Sequence, residues 1–187
     1  YLAQERESRG KSYSRQAVRS LHHLLEAIRY NPFLGKNHNF LRDIGLCCIL
    51  NERFKEAERY FSRFKTQQKD HADARYYMGL ATFKLKKYNN AIQHFRWFIK
   101  ENPDRDDVLL KLAESFYALE DYAKAKQYSL EVLQIHPNDL FARLILGKSL
   151  LAQGETREAL RIFHESLVRD PGHLESFSEI VRIRREE

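Results

Sequence analysis

The sequence predicts an all-α fold, an α-solenoid of antiparallel helix pairs with about four full repeats, an N-terminal helix and a C-terminal capping helix. Three observations predict it. Gly45, Gly79, Ala113 and Gly147 follow one another at a step of 34 residues, and all four are small. Ala57, Ala91, Ala125 and Ala159 keep the same step, twelve residues further along each unit. Pro103, Pro137 and Pro171 close three of the four units, with Lys69 at the equivalent place in the first. A period of this length reads as stacked helix pairs, each burying its apolar face against its neighbours. Such a stack offers a surface for holding partners rather than a cleft for chemistry.

Units run from 38 to 71, 72 to 105, 106 to 139 and 140 to 173, with 1–37 a partial repeat or helix and 174–187 the cap. Helix A should take roughly the first fourteen positions of a unit and helix B roughly positions 17 to 31. Asn39, Asp73, Asp106 and Asp139 stand near the starts of the A helices, where a short polar side chain can cap free backbone N–H groups. Asn102-Pro103, His136-Pro137 and Asp170-Pro171 separate each B helix from the next A, because proline disfavours helix in the residue before it and suits a new first turn. The small columns mark close helix crossings, where a large side chain would cost about 1–3 kcal/mol or more. Phe54, Tyr88 and Tyr122 open helix B with an aromatic, and Thr156 breaks that column. Phe61, Phe95 and Phe163 form another, broken by Ser129, where Tyr128 or Leu130 must compensate.

At the ends, Ser14 to Tyr30 reads as a lone helix B closed by Asn31-Pro32, with three extra residues before the first full unit. Tyr1-Leu2-Ala3 is expected to be the stub of its partner helix, joined by the polar run Glu5 to Ser12. His173 to Arg185, carrying Leu174, Phe177, Ile180, Val181 and Ile183, reads as the closing helix with a charged tail in solvent.

The 187 residues are 43% hydrophobic and 31% charged, which fits a folded protein with wet outer faces. No stretch approaches the roughly 20 apolar residues of a membrane helix, so membrane insertion is not expected. Tyr1 to Ser14 is polar, unlike a secretory signal, and the absence of an initiator Met reads as processing or excision. The compartment is left open, with the cytoplasm as default. The net charge of +6 hides a gradient: residues 1–38 balance at +4, 39–105 at +6 and 106–187 at −4. Such a gradient can steer a partner or let copies meet head to tail; an uneven solvated face is the plainer account. Cys47 and Cys48 are adjacent, cannot staple distant parts of the fold, and read as small core residues.

These columns resemble the tetratricopeptide repeat family over about residues 38–171, best in Met78-Gly79, Tyr88, Ala91, Phe95 and Pro103. The family's leading Trp position holds Leu41, Arg75, Leu109 and Arg143 and is weak here. The resemblance implies a right-handed superhelix whose inner groove is lined by positions 2, 5, 9, 12 and 13 of each helix A. The partner-binding residues it implies are Asn39, Arg42, Asp73, Tyr76, Phe83, Lys84, Leu110, Glu114, Tyr117, Phe141, Leu144 and Lys148. At the same positions Leu46, Ile49, Leu50 and Leu80 read as core packing instead. An apolar groove with a polar rim and aromatics suits another protein or a peptide segment. The Lys/Asn set with which some members clamp acidic chaperone tails is absent: Arg42 goes with Leu46, Tyr76 with Leu80, and Asp107 with Lys111.

No glycine-rich phosphate loop occurs, the eight histidines form no HxxxH or Cys/His set, and no motif recommends a catalytic pair. No enzyme activity, cofactor or metal is expected. Two other readings stay open. Self-association as part of a larger assembly would use the charge gradient. Binding of nucleic acid or another polyanion would use Arg53, Lys55, Arg59, Arg63, Lys65 and Lys69, interleaved with Tyr60, Phe61 and Phe64. Glu52, Glu56 and Glu58 dilute that run, so nucleic acid is the disfavoured partner.

Overall fold

The computed structural model describes the backbone of residues 2–67, 72–102 and 105–186, with side chains from Gln16 onward except those of 38, 65–67 and 186. Tyr1, Lys69 and Pro103, used above, lie outside the described residues, as does the side chain of Lys65. The described chain is helical without strands: α1 (Leu2–Tyr30), a 3-10 turn (Pro32–Lys36), α2 (His38–Leu50), α3 (Phe54–Gln67), α4 (Ala72–Lys84) and α5 (Tyr88–Glu101). It continues through α6 (Asp106–Ala118), α7 (Tyr122–Ile135), α8 (Leu140–Ala152), α9 (Thr156–Arg169) and α10 (Leu174–Glu186). From α2 onward the A helices all have 13 residues and the B helices 14, and each class restarts every 34 residues.

The turn from A to B is the same each time. Glu52, Lys86, Glu120 and Gly154 all take a positive φ, of 57°, 59°, 62° and 82°. The next residue's N–H then reaches back to the last helical turn: Arg53 to the Cys48 carbonyl at 2.8 Å, Lys87 to Thr82 at 2.9 Å, Asp121 to Phe116 at 3.0 Å and Glu155 to Leu150 at 2.9 Å. This closure satisfies carbonyls that the helix end leaves free. Only Gly154 announces it in the sequence, since the other three residues bear a left-handed conformation that L side chains disfavour. At the helix starts, Asp139 caps α8 through the Ala142 N–H at 2.8 Å. For α2 the cap is Asn37, which accepts from Phe40 N–H at 3.2 Å, rather than the expected Asn39.

The chain divides into two compact units, Tyr1–His94 and Phe95–Glu187, with the division inside α5. In the first, α1 packs on α2, α2 on α3 and α3 on α4. Leu21, Leu41, Ile44, Cys48, Ala57, Phe61, Phe64, Ala74, Met78 and Ala81 make its core. The expected break in the N-terminal segment does not occur: α1 runs unbroken from Leu2. The polar run 5–12 contains no proline, and its Glu, Arg and Lys residues are good helix formers that outnumber the single Gly10, so the helix of 17–30 propagates backwards through it.

In the second unit α6 packs on α7, α7 on α8, α8 on α9 and α9 on α10. Leu146, Leu150, Ala159, Ile162, Phe163, Ile180 and Ile183 form one core, and Leu109, Val132 and Ala142 another. Ser129, buried where the other units carry Phe, is compensated by Tyr128, whose ring stacks on Phe116 at 5.4 Å; Leu130 is exposed. An ion pair recurs two periods apart with its polarity reversed: Glu58 with Lys87 at 2.7 Å, and Lys126 with Glu155 at 2.9 Å. Exposed pairs of this kind add little energy. Exchanging the partners, however, would set like charges against each other.

Arg143 takes the column that holds Leu41 and Leu109 in other units, and it is buried. Its guanidinium donates to Glu165 at 2.9 Å and to the Pro137 carbonyl at 2.6 Å, while its Nε is a buried donor without an acceptor. Glu165 keeps a second cation, Arg161, at 2.5 Å. Replacing Arg143 by Leu therefore removes an incompletely satisfied charge yet keeps volume, and should cost under about 1 kcal/mol or stabilise. Arg143→Ala leaves a void and should cost about 2–3 kcal/mol. Urea melts of both variants check this; equal losses would mean that the pairing outweighs the packing.

Candidate functional site

The inward positions of the A helices divide between the two units. In the first, Asn39 and Asp73 are exposed in the opening turns of α2 and α4, and Lys84 is exposed in the last turn of α4. Arg42 is half-buried and donates to its neighbour Asp43 at 3.0 Å. Tyr76 meets Tyr77 edge-on at 5.2 Å, and Phe83 meets Tyr88 edge-on at 5.8 Å; both stay half-buried. Leu46, Ile49 and Leu80 are half-buried, whereas Leu50 is exposed rather than packed as expected. Leu50 ends α2 at the turn, beyond the reach of the core.

In the second unit Leu110 is half-buried against the Leu109, Val132 and Ala142 cluster. Glu114 accepts from Lys111 one turn earlier at 2.7 Å. Phe141 is 63% exposed at the second position of α8. Leu144 is not available as a contact: it is 9% exposed and belongs to the core with Leu146, Leu150 and Ile180. Here α8 is covered on enough of its surface that eight of its thirteen residues are buried, and the fifth position goes with them.

Three helices meet in one cluster. Lys148 of α8 lies 3.3 Å from Glu179 of α10, and Arg182, one turn further along α10, lies 2.7 Å from the same carboxylate. Tyr117 of α6 faces this group: burial pushes its phenol up first, Glu179 pushes the same way and Arg182 opposes. Glu179 is thus held between two cations, near enough to Tyr117 of α6 for its charge to act on the phenol. Sequence reasoning placed Tyr117 and Lys148 among the inward positions and missed Glu179 and Arg182. If the period is carried one step past residue 173, Arg182 occupies inward position 9 and Glu179 position 6, next to inward position 5, because 174 starts a further helix A.

Chemistry has little to work with. Burial, then Glu56, pushes the Cys48 thiol up to about 11, and burial, then Asp43, raises Cys47, so neither is a ready nucleophile. His173 Nδ1 lies 2.8 Å from the Ser176 hydroxyl, with Glu175 3.7 Å from Nε2, but Ser176 is fully buried. His173 immediately precedes α10, and Glu175 and Ser176 sit in its first turn. Among the described residues no group of three or more His, Cys, Asp or Glu side chains could hold a metal, and no helix is long and apolar enough to cross a membrane. Within the basic run that leads into and along α3, Arg53 is held by Glu56 at 2.7 Å and Arg63 donates to the Gly35 carbonyl at 2.7 Å.

A family model described as tetratricopeptide repeat matches residues 51–96, and one described as anaphase-promoting complex, cyclosome, subunit 3 matches residues 96–166. No curated protein matches the chain in sequence. Among solved structures, YrrB, described as a TPR protein with an unusual peptide-binding site, superposes with a TM-score of 0.78 at 15% identity, over 90% of this chain and 85% of that one. A structure of MamA protein gives 0.72 at 18% identity, over 88% and 91%. Another MamA structure gives 0.70 at 20% identity, over 81% and 86%. Proteins of this fold are in general non-catalytic scaffolds for protein–protein interaction. The 34-residue helix pairs and the matches over residues 51–96 and 96–166 support the tetratricopeptide repeat family for this chain.

Proposed function

We propose that this chain is a non-catalytic scaffold that holds a segment of a partner protein against the inner faces of its A helices. The observation that carries the reading is the convergence of Tyr117, Lys148, Glu179 and Arg182 from three A helices onto one half-open face. An aromatic ring beside charges that share one carboxylate is poor core material and good contact material. The ring gives apolar area at small entropic loss, and the ions fix orientation and reject mismatched partners. In the first unit Tyr76 and Phe83 supply half-buried aromatics on the same class of helix, between exposed Asp73 and Lys84. Asn39 and Arg42 in the first unit, and Leu110, Glu114 and Phe141 in the second, would form the margins of each unit's own face. The likeness to YrrB, a structure described by its peptide-binding site, supports a peptide segment as the ligand.

The test is affinity capture from native lysate with wild type, Tyr117→Ser and Phe83→Ser, each checked for helicity by circular dichroism. Loss of a hot-spot aromatic should weaken capture at least about tenfold while the fold persists. Undiminished capture by both folded variants would overturn the groove reading.

A further inference from the structure

Helix α3 breaks a rule that the other B helices keep. Arg59 and Arg63 stand one turn apart on it, and like charges at that spacing repel. One period on, the same two positions hold Gln93 and Trp97, which carry no charge. Two periods on they hold Gln127 and Glu131, joined by a hydrogen bond of 2.9 Å, and three periods on Arg161 and Glu165, an ion pair at 2.5 Å. The first unit alone sets cation against cation there. The two carboxylates of α3 are committed elsewhere. Both oxygens of Glu56 accept from Arg53 at 2.7 Å, and those of Glu58 from Lys87 at 3.0 and 2.7 Å. Arg63 is anchored by the Gly35 carbonyl at 2.7 Å, which takes up a donor but no charge. Glu56, Arg59, Tyr60 and Arg63 line a cavity of about 90 Å³. That is well below the roughly 300–1,000 Å³ of a site for a drug-sized ligand. Burial raises the Tyr60 phenol first, Cys48 and Glu56 push the same way, and Arg63 and Arg59 oppose them. The ring therefore keeps its O–H as a donor beside the two arginines.

We propose that this cavity binds a phosphate monoester, its terminal dianion held by Arg59 and Arg63 together with the Tyr60 hydroxyl. Guanidinium forks present paired N–H donors to phosphate oxygens, and two of them answer the charge of about −1.5 to −2 that a monoester carries at neutral pH. A carboxylate brings less charge and one oxygen fewer. A phosphodiester carries a single charge and continues on both sides of its phosphorus, so it cannot enter a small cavity end-on. That separates the site from a track for nucleic acid. The repulsion between Arg59 and Arg63, which the other units avoid, is what an arriving dianion relieves. The site lies on a helix B inside the first unit, with α2 before it and α4 after it. It shares no residue with the inner faces of the A helices and stands or falls apart from the groove reading.

Isothermal titration calorimetry of the full chain at constant ionic strength tests it with phenyl phosphate, methyl phenyl phosphate and benzoate. Phenyl phosphate should bind at least about tenfold tighter than the diester or the carboxylate. Arg59→Gln should weaken it at least about tenfold. Arg59 is exposed and two other units carry Gln at its position, so this variant keeps the fold. Arg157→Gln, an exposed arginine of α9, should change nothing. A phosphotyrosine tripeptide that binds tighter than phenyl phosphate would make a partner's modified side chain the source of the group, and equal affinity a free small molecule; either result upholds the monoester site. No binding of phenyl phosphate, equal affinity for the diester, or indifference to Arg59→Gln would overturn it. So would a single-stranded oligonucleotide that binds tighter than phenyl phosphate and loses that affinity in Arg59→Gln.

Discussion

Valine in place of Gly147 should destabilise the second unit by about 3 kcal/mol, at the upper end of what overpacking a core inflicts. A Cβ at this position would run into Phe163 Cε1 and lie 2.7 Å from Cζ, closer than real Cβ atoms approach anything. The ring cannot retreat: Phe163 is fully buried in the cluster of Leu146, Leu150, Ile162 and Ile180. Relief then requires α8 and α9 to move apart, which loosens every contact along their crossing. The molecule contains its own control. Where helix B offers Ser129 instead of Phe, the matching position of helix A is Ala113, and both are fully buried without glycine. A ring on one helix demands glycine on the other, and a small residue releases that demand. The measurement is the urea midpoint of Gly147→Val against wild type; an unchanged midpoint would mean that the crossing is more compliant than its geometry.

That pairing was legible only in part. The small columns and their period gave the helix pairs, and the A and B helices restart on that period without drift. The sequence could not say which residue each glycine faces, because that partner lies sixteen positions away across a turn. The turns themselves were hidden, since Glu52, Lys86 and Glu120 take a left-handed conformation that their side chains do not advertise. Of the site, Tyr117 and Lys148 were within reach of the family pattern. Arg182 was not, because 174–187 was read as a cap and its inward positions were never counted, and Glu179 stands at position 6, outside the inward set. Leu144 failed for the opposite reason: periodicity assigns a direction to a side chain, but not how much of α8 its neighbours cover.

Truncating Phe61 to alanine should cost about 4 kcal/mol, the range in which a buried phenylalanine leaves a void. Phe61 is fully buried, lies under Gly45 as Phe163 lies under Gly147, and stacks on Tyr77 at 5.2 Å and 18°. Removing it empties the α2–α3 crossing and releases the Tyr77 ring, so the loss includes an aromatic pair as well as volume. Because a repeat protein's stability is close to a sum of units and neighbour terms, the damage should be local. Amide exchange should accelerate in α2, α3 and α4 while α8 and α9 keep their protection. The second-site response is sharper still. In wild type, Gly45→Ala would set its Cβ 2.7 Å from the Phe61 ring and destabilise. In the Phe61→Ala background the same change enters vacated space and gains helix propensity of about 1 kcal/mol, so its sign should reverse. A double-mutant cycle measures that reversal directly. If Gly45→Ala destabilises equally in both backgrounds, the glycine column answers to the helix backbone and not to the ring above it.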